Sequence, residues 1–263
     1  MNPTPSAARS VLVTGGSRGI GAASALACAR HGWDVAVNCA RDQAAAQAVA
    51  AQVRALGRRA IVVVADVADE AAVLAMFARV DAELGPLHGL VNNAGVIDVQ
   101  ARVQDMSVAR LQRMFAINVI GNIVCAREAV KRMSTKHGGE RGLPAGSGQG
   151  GSIVNLSSVA AKLGAPGWYV DYAASKGAID SFTTGLAREV AAEGIRVNAV
   201  RPGIIDTDIH ASGGQPNRAH ESAALIPMLR PGTSDEVAAA IVWLLSDAAG
   251  YTTGAVLDVS GGR

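Results

Sequence analysis

Short runs rich in β-branched residues recur along the chain at 11–14, 35–38, 61–65, 89–92, 152–156, 196–200 and 255–259. Most are apolar at consecutive positions, the pattern of parallel strands covered on both faces. Between them lie segments of helical period at 22–31, 43–56, 70–83, 108–133, 172–193 and 235–246. This alternation predicts one α/β domain over residues 1–263, doubly wound with right-handed crossovers around a seven-stranded, mostly parallel sheet. Two segments break the rhythm. Residues 137–151 (HGGERGLPAGSGQGG) are rich in glycine, which predicts an exposed, mobile loop. Residues 204–227 lack clean periodicity and follow a strand's carboxyl end, which places them to cover whatever binds there. Residues 1–9, with Pro3 and Pro5, read as a flexible tail without a signal peptide's apolar core.

Composition narrows the functional classes. With 49% hydrophobic and 17% charged residues, the chain can bury a large aliphatic core, which excludes a disordered or fibrous protein. Lys plus Arg number 24 against 22 Asp plus Glu, for a net charge of +2. So even a balance leaves no footprint for nucleic acid or an anionic membrane. No apolar run approaches the ~18 residues of a membrane span. Cys28, Cys39 and Cys125 are odd in number and form no C-x-x-C pair. The five histidines lack i, i+4 ligand spacing, so no metal site is expected. The expected compartment is the reducing cytoplasm.

Candidate chemistry begins where the first strand runs into Thr14-Gly15-Gly16-Ser17-Arg18-Gly19-Ile20-Gly21 ahead of a helix. Glycines let the backbone approach a pyrophosphate, and the helix N-terminus offers free N–H groups and a positive dipole end. Further on, Tyr172 and Lys176 stand four apart and share one helical face. A free phenol titrates near pH ~10, and a neighbouring cation favours the phenolate, which predicts a lowered pKa at Tyr172. Tyr169 is the rival base, but its i+4 neighbour is the uncharged Ala173. Ser157 and Ser158 are adjacent, so a continuing strand would present only one of them. Trp168 and Asp171 flank Tyr172 and are candidates to line a substrate pocket.

These motifs resemble those of the short-chain dehydrogenases/reductases. TGGSRGIG is similar to that family's TGxxxGxG cofactor turn, Asn92-Asn93-Ala94-Gly95 to its NNAG segment, and Tyr172-Ala173-Ala174-Ser175-Lys176 to its YxxxK signature. Arg201-Pro202-Gly203 resembles the segment embracing the nicotinamide end, and the matches keep the family's order over nearly the whole chain. The resemblance implies a Rossmann-like fold and an oxidoreductase moving a hydride between a nicotinamide cofactor and a secondary alcohol or ketone. It implies Asn118, Ser158, Tyr172 and Lys176 as the catalytic set, with Asn118 holding a water in a proton relay.

The implied cofactor contacts are Gly15, Ser17, Arg18, Gly19, Ile20, Gly21, Asn38, Arg41, Asp66, Val67, Asn93, Ala94, Gly95, Tyr172, Lys176, Pro202, Gly203, Ile205 and Thr207. NADP(H) is the expected cofactor. The second strand ends in Asn38 where NAD-preferring sites carry an acid, and Arg18 and Arg41 could hold a 2′-phosphate. A homotetramer is implied, and no nucleic-acid or membrane partner. Two substrate classes are open: a sugar or polyol, as in sugar-dehydrogenase-like members, or a 3-oxoacyl thioester on an acidic carrier. Arg127, Lys131, Arg132 and Lys136 could receive such a carrier. A non-catalytic NADP(H)-sensing regulator is the third reading, and its mark would be a damaged Tyr/Lys/Ser set.

Overall fold

The computed structural model describes residues 9–137, 147–208, 213–215 and 217–263. Most of the predicted tail, residues 138–146 of the glycine-rich loop, and residues 209–212 and 216 lie outside the described residues.

The seven predicted strands form one sheet: β1 (Ser10–Val13), β2 (Asp34–Cys39), β3 (Ala60–Val64), β4 (Leu87–Asn92), β5 (Gly151–Leu156), β6 (Ile195–Pro202) and β7 (Val256–Val259). Their order is β3-β2-β1-β4-β5-β6-β7, and every neighbouring pair is parallel. The chain builds outward from β1 to β3, then returns to place β4 on the other side of β1. That reversal opens a crevice at the carboxyl ends of β1 and β4, where open α/β sheets bind ligands.

Although the strands are apolar throughout, alternate residues serve two separate cores. Val11, Val13, Val35 and Val37 pack with helices α1 (Gly19–Arg30), α2 (Gln43–Ala55) and α9 (Ser234–Leu245). Leu12, Ala36, Leu90 and Ile153 face α3 (Glu70–Leu84), α5 (Asn122–Met133) and α7 (Val170–Val190). Cys28, Cys39 and Cys125 are buried and free. Among the described residues no helix is long and apolar enough to cross a membrane.

Two departures from expectation bear on function. The predicted helix over 108–133 is α4 (Val108–Phe115) joined to α5 through a π-helical turn, Ala116–Gly121. The wider turn carries Asn118 into the interior, where it is fully buried; such turns favour functional sites. Second, the end of the glycine-rich segment is not an exposed loop. Gly150 N donates to Met133 O at 2.8 Å and Gly151 N to Gly194 O at 3.0 Å. A Cβ at Gly148 would collide with Ser134 O and lie 2.6 Å from Met133 O. Residues 147–151 therefore dock on the end of α5, and Gly151 already belongs to β5. Two short helices, α6 (Ala160–Leu163) and α8 (Arg218–Glu221), escape periodicity because each is a single turn.

Candidate active site

The turn between β1 and α1 is held from below by side chains. Thr14 Oγ1 accepts from Asn93 N at 2.9 Å and Ala94 N at 3.0 Å. Asn93 Nδ2 donates back to Thr14 O at 2.9 Å and Gly15 O at 3.0 Å. A Cβ at Gly21 would run into the Gly15 carbonyl oxygen and lie 2.6 Å from Asn93 Nδ2, so only glycine lets α1 start this close to the turn. Helices α2, α3, α4 and α9 each begin with a side-chain cap, whereas α1 has none and no acid in its first turn. Its N–H groups and dipole face the crevice, a cradle that fits the pyrophosphate of a dinucleotide. Ser17, Gly19 and Ile20 line the turn half-buried.

Asn38, expected among the cofactor contacts, has its side chain engaged within the protein. It is buried, its Oδ1 accepts from Gly15 N at 3.2 Å, and its Nδ2 donates to Val63 O and Ala65 O at 3.1 and 3.0 Å. Its side chain therefore ties the turn to β3 and is spent there. Beyond it, Arg18 and Arg41 are exposed, and neither guanidinium has a hydrogen-bond or ion-pair partner among the described residues. Asp42 accepts from Ala45 N at 2.9 Å and caps α2. Asp66 is exposed and accepts from Ala68 N at 3.0 Å, while Asp69 caps α3 and Val67 is buried beside them. Past β6, Gly203 N donates to Val259 O, and Ile205 pairs in parallel with Gly232. Thr207 lies opposite the turn: a Cβ at Gly19 would sit 3.4 Å from its Cγ2. So Pro202, Gly203, Ile205 and Thr207 form an ordered rim where the sequence offered no periodicity.

The other end of the crevice gathers the expected polar set. Tyr172 lies in the first turn of α7, half-buried, with the Ser158 side chain close enough to its phenol to act on its ionisation. Ser157 turns the other way and donates to Lys176 O at 3.2 Å, which leaves Ser158 as the serine facing the crevice. Lys176 is buried, its Nζ 2.6 Å from Leu156 O and 5.7 Å from the centre of the Tyr172 ring. A Cβ at Gly95 would lie 3.5 Å from that ammonium and 3.4 Å from Asn118 Oδ1, so NNAG closes the same corner. Asn118 Oδ1 accepts from Val96 N at 2.8 Å, and its Nδ2 donates to Val96 O and Ser175 Oγ at 2.9 and 3.1 Å. Its side chain locks the loop after β4 to α7 and has no amide hydrogen left for a water.

The electrostatics reverse one expectation. Burial pushes the Tyr172 phenol up, opposed by the Ser158 hydrogen bond and the charge of Arg218, not down under Lys176. Burial likewise pulls Lys176 down to about 8, against the opposing pull of Asp180. The two groups share one desolvated corner, and the cost of charging either outweighs the attraction that sequence spacing suggests.

Two other sequence candidates are absorbed by structure. Asp171 is buried in a bidentate ion pair with Arg110, at 2.7 and 3.2 Å, so its carboxylate is not free to meet a substrate. Three of the four cations offered to a carrier are engaged: Arg127 with Glu70 and Glu128, Lys131 with Glu128, and Arg132 with Asp81 and Glu128. Sequence reasoning missed Arg218, whose guanidinium comes to the Tyr172 side from forty-odd residues away, because nothing local to it signals a site.

A doubly wound parallel sheet, a glycine cradle at its first turn and a Ser/Tyr/Lys cluster at the same crevice define a dinucleotide-dependent oxidoreductase. Residues 15–263 match the family model described as enoyl-(acyl carrier protein) reductase. The Escherichia coli (strain K12) uncharacterized oxidoreductase YgfF is 54% identical over 252 residues, covering 96% of this chain and 98% of that one. The cis-4-hydroxycyclohexanecarboxylate dehydrogenase of Sinomonas cyclohexanicum is 40% identical over 97% of this chain and 96% of its own length. The L-rhamnose 1-dehydrogenase (NAD(P)(+)) of Sphingomonas sp. (strain SKA58) is 37% identical, over 97% and 95%. A short-chain dehydrogenase from Burkholderia cenocepacia J2315, solved in complex with NADP, superposes with a TM-score of 0.85 at 35% identity, covering 97% of each chain. The chain belongs to the short-chain dehydrogenase/reductase family, nicotinamide-dependent oxidoreductases of Rossmann fold.

Proposed function

We propose that the protein moves a hydride between NADP(H) and a secondary alcohol or ketone, with Tyr172 exchanging the hydroxyl proton. The observation that carries this reading is the meeting of Ser158, Tyr172 and Lys176 at the crevice that the glycine turn opens. The bound nicotinamide supplies or accepts the hydride. In the reductive direction Tyr172, which burial keeps as the neutral phenol, gives its proton to the carbonyl oxygen as hydride reaches the carbon; in the oxidative direction the phenolate takes the alcohol's O–H proton as the C–H leaves as hydride. Ser158 hydrogen-bonds the substrate oxygen and stabilises the negative charge that develops there. Asn118 acts as a positioning residue, keeping α7 registered against the loop after β4.

The NADP(H) preference rests on Arg18 and Arg41, two exposed guanidiniums without partners among the described residues, and on Asp42 being held as a helix cap. A 2′-phosphate would receive charge-assisted, forked hydrogen bonds from them. The engaged state of Arg127, Lys131 and Arg132 speaks against a carrier-bound thioester, and the intact Ser/Tyr/Lys cluster against a non-catalytic regulator. The test is a panel of hydroxy and carbonyl compounds, followed through reduced nicotinamide, with kcat/KM compared for NADPH and NADH in wild type and in Arg18→Ala. NADPH is expected to be favoured, and Arg18→Ala to erode that preference selectively. Equal or better efficiency with NADH in wild type contradicts the assignment.

A further inference from the structure

One cation whose charge acts on Tyr172 has no role in the chemistry above. Arg218 opens α8 in the segment after β6. Its guanidinium carbon lies 4.6 Å from the ring centre of Trp168 and 5.1 Å from that of Tyr169. Those rings meet edge to face, 87° apart with centres separated by 6.3 Å. Both are anchored: Trp168 N and Tyr169 N donate to Ala165 O, Ala101 N donates to Trp168 O, and the Tyr169 phenol reaches Gln215 Oε1 at 3.4 Å. The pair forms an aromatic notch that holds the guanidinium by cation–π contact.

No carboxylate pairs with Arg218 among the described residues, and its Nε is buried without a hydrogen-bond partner. A buried, unpaired N–H is costly and calls for an explanation, most of all on a charged group. The contrast is local, since Arg110 at the same cleft is neutralised by Asp171. A second guanidinium stands near: the charge of Arg218 adds to burial in lowering the pKa of Arg263, whose side chain also lacks a described partner. The charge of Arg218 also reaches the Tyr172 phenol. The cofactor's phosphates are accounted for elsewhere, by the α1 cradle with Arg18 and Arg41.

We propose that the substrate carries a carboxylate, and that Arg218, held in the Trp168–Tyr169 notch, is the residue that binds it while the carbinol carbon faces Tyr172. This rests on the oxidoreductase reading above and adds the substrate's chemical class to it. A guanidinium edge and a carboxylate match in plane and charge and make paired, charge-assisted hydrogen bonds. A neutral sugar offers hydroxyl acceptors but no negative charge to offset the two guanidiniums.

The test separates binding from turnover. Calorimetric titrations with NADP+ present use non-reacting acids from butanoate to cyclohexanecarboxylate, each against its own carboxamide, with methyl phosphate as a further arm. The best-fitting acid is expected to bind roughly ten- to a hundredfold more tightly than its amide. Arg218→Gln is expected to bring that ratio close to one, and Arg218→Lys, which keeps charge without the fork, to retain part of it. In parallel, kcat/KM for 4-hydroxycyclohexanecarboxylate is compared with that for its methyl ester, the acid being favoured chiefly through KM. Amides binding as tightly as acids throughout the series, tighter binding of methyl phosphate, or an acid preference that survives in Arg218→Gln would each overturn the proposal. Because the titrations need no turnover, an inactive enzyme that still selects acids through Arg218 counts against the hydride-transfer reading alone. An active enzyme indifferent to the carboxylate counts against Arg218 alone.

Discussion

Lys176 sits in protein on all sides, and burial brings its pKa from 10.5 to about 8. The folded protein therefore binds fewer protons than the unfolded chain between about pH 8 and 10.5. Stability contributed by this group rises with pH through that window and is lowest below it. The full difference is on the order of 3 kcal/mol, since one pKa unit is worth about 1.4 kcal/mol. Cys28 and Cys125, raised from 9.0 to about 12 by burial, act in the opposite sense, losing stability as pH climbs above 9. Comparison with Lys176→Met cancels their effect. Urea midpoints from pH 7 to 10 should show wild type gaining on Lys176→Met as pH rises; parallel curves would mean the ammonium is not desolvated. Spacing made Tyr172 and Lys176 legible in the sequence because four residues fix a shared helical face. The same logic could not choose Ser158 over Ser157, since that choice depends on where the chain bends after Leu156. Nor could it see that Asn38 is spent on β3 or Asp171 on Arg110, because those partners become neighbours only in the folded sheet.

At the level of elements, the β1–α1 turn is the most tightly specified. Gly21→Ala would drive a methyl group into the Gly15 carbonyl and the Asn93 amide that props the turn. The expected result is loss of cofactor binding with destabilisation of roughly 1–3 kcal/mol, the usual cost of overpacking, read by NADPH titration and thermal melts. Unchanged binding would show that the turn relaxes. Strand positions were read to within about two residues because consecutive apolar runs bounded by polar turns leave little choice. The π-helical turn at Ala116–Gly121 has no composition of its own to mark it, since it continues the helix on either side without a break. Residues 147–151 were misjudged for another reason: glycine content resembles an exposed loop, whereas here small size permits close docking on α5.

For the whole molecule, the strand order decides where chemistry can occur. Reversal between β1 and β4 puts the glycine cradle, the NNAG corner and the head of α7 around one crevice, so residues far apart in sequence act on one ligand pair. The family resemblance implies a homotetramer through paired helices, and Phe115, Ile120 and Ile123 are exposed apolar side chains along α4, the π-helical turn and α5 that such pairing would cover. Light scattering should return four protomers, and a monomer at micromolar concentration would contradict that arrangement. The claim on which everything else depends is that Tyr172 carries the proton. The direct measurement is kcat for Tyr172→Phe on a turned-over substrate, alongside its NADPH affinity by titration. kcat is expected to fall roughly 10²–10⁴-fold, as for a lost general acid/base, with NADPH affinity retained. More than half of wild-type kcat in that variant would contradict that role for Tyr172.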